Sequence, residues 1–136
     1  KIKQSGGETD AARFLQQAEA IADAAITTLV NVNGILTEPC EANNGCDGNG
    51  TQFKGIFMRN LGYLYRTLRE ENKDASSYER YQQFIVKNAD SIWANNRNSK
   101  NQFGLKWAGP VDATDASRQS SALDAFNAAI PFSSLP

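Results

Sequence analysis

QFKGIFMRNLGYLYRTLR, residues Gln52 to Arg69, decides the fold class. Ile56, Phe57, Leu61, Leu64 and Leu68 recur at spacings that place them on one stripe of an α-helix. Two glycines, Gly55 and Gly62, interrupt this otherwise good helix, and each costs about 1 kcal/mol relative to alanine. Seven residues apart, they share one side of the helix. That predicts the close approach of another backbone or a ligand along that side.

Three more helices are expected around this one. The first spans about Thr9 to Val30, with Phe14, Ala18, Ile21, Ala25 and Ile26 as its apolar stripe and Thr9 or Asp10 as its cap. The third spans about Ser77 to Asn95, with Ser76 and Glu79 at capping-box spacing. Tyr81, Phe84, Ile85, Ile92 and Trp93 supply its apolar side; Trp93 is read as core, and Tyr63 and Tyr65 of the second helix as packing residues. The fourth spans about Thr114 to Ile130, with Leu123, Phe126 and Ile130 on one face and Pro131 as its stop. Asp112 and Asp115 sit where negative charge suits a helix N-terminus. No strand pattern emerges, so residues 1–136 are read as one all-α domain.

The connections are uneven. Glu70 to Ser76 is a short polar link, but Asn31 to Thr51 and Asn96 to Ala113 far exceed the roughly two to eight residues usual between packed helices. Long loops in a small domain point to function. If successive helices run antiparallel, both long loops open at the same end, just before the N-termini of the second and fourth helices. The second helix carries few charges and the fourth is rich in Ala and Ser, whereas the first carries Arg13, Gln16, Gln17 and Glu19. That alternation fits inner and outer helices of a helical toroid. Four such helices do not close a ring, so the remaining part of the same domain is an expected partner.

Composition narrows the chemistry. With 40% hydrophobic and 21% charged residues the chain is globular rather than disordered. A net charge of −1 without a basic block argues against nucleic acid. No apolar run is long enough for a membrane span. The absence of histidine excludes Ser-His-Asp and Cys-His machinery and His-ligated metals, and two cysteines are too few for structural zinc. No cofactor or metal is expected. Cys40 and Cys46 lie in one Gly- and Asn-rich loop; a local disulfide in an oxidising compartment is the favoured reading, a pair of free thiols the alternative. Asn49-Gly50-Thr51 in the same loop is a glycosylation acceptor sequence, in agreement with secretion.

CDGNGTQFKGIFMRNLGYL (Cys46 to Leu64) and NQFGLKWAGP (Asn101 to Pro110), followed by RQSSALDAFNAA, resemble glycoside hydrolase family 76, which includes bacterial endo-α-1,6-mannanases and fungal cell-wall proteins. The cysteine-containing loop looks more like the fungal members. The resemblance implies part of an (α/α)6 barrel, about four helices of an incomplete ring, with a cleft at one end. It also implies retaining hydrolysis or transfer of α-1,6-linked mannosyl units, and a secreted or cell-wall location. The family's catalytic pair is two consecutive aspartates. This sequence has no Asp-Asp dipeptide, so no catalytic residue is assigned and the isolated chain is expected to be inactive.

Substrate-binding candidates are Asp47, Gln52 and Lys54 at the start of the second helix, and Gln102 and Trp107 in the second long loop. Arg118 in the fourth helix is another. Sugar hydroxyls suit carboxylate, amide and ammonium partners, and an aromatic face suits a pyranose ring. Each candidate also has a structural alternative: Asp47 as a turn residue, Trp107 with Phe103 as plugs between loop and core, Arg118 as the i, i+3 partner of Asp115. At the level of the whole chain, a non-catalytic carbohydrate-binding or wall-structural module and a helical interaction domain are the alternatives to part of a mannan-active enzyme.

Overall fold

The computed structural model describes residues 7–71 and 73–132. They form four α-helices: α1 (Gly7–Thr28), α2 (Phe53–Glu70), α3 (Ala75–Asn95) and α4 (Ala116–Ala129). Short 3-10 turns occupy Pro39–Asn43 and Ile130–Phe132. No β-strand occurs among the described residues; isolated bridges pair Val30 with Leu36 and Arg97 with Phe103.

The glycines of α2 fix how it meets α4. The Gly55 N–H donates to Ser121 Oγ at 3.0 Å, and a Cβ on Gly55 would stand 2.5 Å from Ser121 Cα. One turn earlier the Thr51 and Ser117 hydroxyls hydrogen-bond at 2.7 Å. Two turns later Gly62 faces Ala128. These contacts advance together along both chains, so α2 and α4 run parallel, small residue against small residue, with their N-termini side by side. Met58, Leu61, Leu68, Ile85, Ile92, Ala122 and Ala125 are buried between α2, α4 and α3.

The two halves of the chain repeat one plan. After α1, Asn31 Oδ1 accepts the Asn33 and Ile35 N–H groups; after α3, Asn98 Oδ1 accepts those of Lys100 and Gln102. Gly34 and Asn101 hold corresponding left-handed positions, at φ 70° and 58°. Each half is therefore an outer helix, an asparagine-capped reversal, a long loop and an inner helix. A helical toroid is built from such units.

Several details differ from the sequence reading. Helix α1 begins at Gly7, so Thr9 and Asp10 lie inside it and neither is its cap; Asp10 pairs with Arg13 instead. Helix α3 begins at Ala75 with Asp74 as N-cap. Ser76 donates to Asp74 Oδ2 and does not start a capping box with Glu79. Phe14 and Ile21 are 46% and 69% exposed; α1 turns Leu15, Ala22 and Ile26 to the core instead. Trp93, read as core, is 53% exposed, as is Tyr63. The Arg97 guanidinium stacks on the Trp93 ring at 3.7 Å, covering a face that the packing leaves open. Leu123 of α4 and Ile130 just beyond it are likewise exposed, because the small residues of α4, Ser121 and Ala128, face α2.

Candidate glycan-facing end

Both long loops open at the end where α2 and α4 begin. The first carries the Cys40–Cys46 disulfide. The seven-membered segment it closes presents Glu41, whose carboxylate accepts the Glu38 N–H at 2.8 Å and forms an ion pair with Lys54. Lys54 lies in the first turn of α2 and is only 1% exposed. Its Nζ also donates to the Leu105 carbonyl of the second loop at 2.7 Å, and it stands 4.9 Å from the centroid of the Trp107 ring. Burial pulls the Lys54 ammonium below the usual lysine range, and Glu41, Glu38 and Asp112 act against that pull. Burial pushes the Glu38 carboxyl up, with Lys54 opposing.

The second loop is tied down along its length. Asn96, fully buried, holds both backbone groups of Gly104: Nδ2 donates to its carbonyl at 2.7 Å and Oδ1 accepts its N–H at 3.1 Å. Asp112 Oδ1 accepts the Leu105 N–H at 2.7 Å and Gln119 Oε1 that of Phe103 at 3.1 Å. Ser91 donates to the Trp107 carbonyl at 3.0 Å. Glycine suits position 104, since a Cβ would fall 2.9 Å from the Asp112 backbone nitrogen and 2.2 Å from Asp112 Oδ1. Asp115 caps α4 by accepting the Arg118 N–H at 2.9 Å, and that backbone hydrogen bond is the leading reason its carboxyl lies below the usual range.

The family model of glycosyl hydrolase family 76 matches residues 7–133. The chain belongs to glycosyl hydrolase family 76. Among solved structures, the GH76A alpha-1,6-mannanase from Salegentibacter sp. HEL1_6 is similar, with a TM-score of 0.77 and 22% identity. The match covers 96% of this chain and 36% of that one, so the chain spans about a third of its structural neighbour. No curated protein matches it. At that identity the likeness speaks for fold, and the fold is a partial helical barrel of the family 76 kind.

Within this family 76 chain the sequence-derived candidates divide into two sets. Asp47, Gln52 and Gln102 lie at the surface, Asp47 and Gln102 exposed and Gln52 half-buried. Asp47 Oδ1 accepts the Asn49 and Gly50 N–H groups at 3.1 and 2.7 Å, Gln52 Nε2 donates to the Gly48 carbonyl at 3.1 Å, and Gln102 pairs with Asn98 at 2.9 Å. Lys54 and Trp107 lie beneath the surface, both 1% exposed. Lys54 is engaged by Glu41, the Leu105 carbonyl and the Trp107 ring, and Trp107 plugs the second loop onto the core. Arg118 pairs with Asp115, the i, i+3 alternative raised above, while its Nε, buried without a hydrogen bond, stands 3.9 Å from Asp112 Oδ2. Asn49 is exposed. Among the described residues no cluster of His, Cys, Asp or Glu could hold a metal, and no helix is long and apolar enough to cross a membrane.

Sequence reasoning missed Glu41, Asn88 and Asn96. Asn88, fully buried, accepts the Leu36 N–H at 2.8 Å and donates to the Phe84 carbonyl at 2.9 Å. A signal was present: Ile85, Asn88, Ile92 and Asn96 share one helical stripe, and an amide in an apolar stripe announces a buried backbone to be satisfied.

Proposed function

We propose that this chain forms part of the glycan-facing end of a glycoside hydrolase domain that acts on α-1,6-linked mannan or on mannose-containing glycan anchors. Membership of family 76 supports the chemistry. The observation that carries the location is the pairing of the α2 and α4 N-termini beneath both long loops. Asp47, Gln52 and Gln102 supply exposed carboxylate and amide groups for sugar hydroxyls, while Lys54, Trp107 and Arg118 hold the surface that presents them. The favoured setting is extracellular or the cell wall, consistent with the disulfide, and Asn49 is its proposed glycosylation site.

Retaining hydrolysis needs an acid for the leaving oxygen and a nucleophile about 5–5.5 Å away from it. Here Glu41 is engaged by Lys54, Asp47 by a turn, Asp112 by Leu105 and Asp115 by a helix N-terminus. In this reading the chain contributes binding surface, and the reacting carboxylates come from the remaining part of the domain. Affinity electrophoresis in α-1,6-mannan and a reducing-sugar assay on the 136-residue chain test it. Retardation without sugar release is expected. Sugar release by the chain alone, or no retardation at any mannan concentration, overturns it.

A further inference from the structure

We propose that Lys54 is a positioning residue, a buried latch whose ammonium fastens the disulfide loop to the second loop so that both present one surface. Three independent attachments converge on it: Glu41 from inside the Cys40–Cys46 ring, the Leu105 carbonyl and the Trp107 ring. A lysine has a long flexible stem and seldom gives up water fully without a partner. With 1% of Lys54 exposed, its charge depends on these groups from two loops that are distant in sequence. Glu41 of the first loop and the Leu105 carbonyl of the second meet at the same ammonium, so Lys54 links the two loops directly. The disulfide keeps the segment carrying Glu41 short and closed, so the counter-ion is held in place for the ammonium. Glu38 and Asp112 flank the ammonium from the two loops, and Arg118 of α4 stands beside Asp112.

The latch stands on this geometry; only its role in glycan binding rests on the function proposed above. Hydrogen exchange read by mass spectrometry on the 136-residue chain tests it. Lys54→Met keeps the stem and removes the charge. It is expected to lower protection in residues 38–46 and 103–107 together, on the order of a hundredfold, as for a buried pair losing one partner, while residues 81–92 of α3 stay protected. Glu41→Gln, a change confined to the first loop on a partly exposed side chain, must loosen residues 103–107 of the second; this cross-loop effect is one that a local packing role does not produce. Loosening of one loop alone, uniform loss across all helices in both variants, or no change overturns the latch. Mannan retardation separates the two readings. Wild type that fails to bind refutes the function while leaving the exchange result to judge the latch. Lys54→Met that binds as wild type despite loosened loops refutes the positioning role.

Discussion

Gly55→Ala tests the packing that places the two inner helices. In isolation the substitution favours α2 by about 1 kcal/mol, because alanine loses less backbone entropy than glycine. In the folded chain the new Cβ would stand 2.5 Å from Ser121 Cα and 2.7 Å from its carbonyl oxygen. Both are backbone atoms, so no rotamer change relieves the clash. Reaching an ordinary carbon–carbon separation of roughly 3.5 Å requires α2 and α4 to part by about 1 Å. Overpacking of this kind costs about 1–3 kcal/mol, and separation also weakens the Gly55–Ser121 hydrogen bond, worth about 1 kcal/mol. The net expectation is destabilisation by about 2 kcal/mol, a fall in the urea midpoint on the order of 1 M. Ser121→Ala in the same background should not rescue it, since the obstruction is backbone. Gly62→Ala is the internal control: its Cβ would lie 3.3 Å from the Ala128 side chain, and it should be near neutral. Equal stability of Gly55→Ala and wild type in urea melts, or rescue by Ser121→Ala, would refute the close-approach account.

Other expectations follow from single interactions. Intact mass after alkylation without reductant should show no labelled cysteine, and the Cys40→Ala/Cys46→Ala pair should lower stability by about 2 kcal/mol, as the chain-entropy model gives for so short a loop. Asp115→Ala removes the α4 cap and should cost about 1 kcal/mol in urea melts, with Asp115→Asn retaining most of it; because the folded carboxyl is depressed, that stabilisation is present above the unfolded pKa and declines as pH falls through the folded one. Tyr81 donates to Asp23 Oδ1 at 2.9 Å, and burial pushes its phenol up to about 12 from 10.0. A raised folded value means the associated stability is full below pH 10.0 and is lost as pH rises towards 12. Ultraviolet titration should show one tyrosine ionising late, and Tyr81→Phe should remove that late step.

The all-helical class, four helices and the long-loop asymmetry were legible in the sequence because they rest on local periodicity and on spacing, both properties of contiguous residues. So were the need for close approach at Gly55 and Gly62 and the local pairing of Cys40 with Cys46. Family 76 membership was legible from the motifs around Gln52 and Phe103. What lay beyond the sequence depended on which distant groups meet. Periodicity says that α1 has an apolar stripe, but neighbours decide that Ala22 and Ile26 are covered while Phe14 and Ile21 are not. Lys54 and Trp107 were read as sugar contacts because their residue types suit sugars. Tertiary packing put both beneath the surface by bringing Glu41 and Leu105 to the same ammonium. A side chain's chemistry is written in its residue type; whether that chemistry faces solvent or a partner is set by segments far along the chain, and only the fold brings them together.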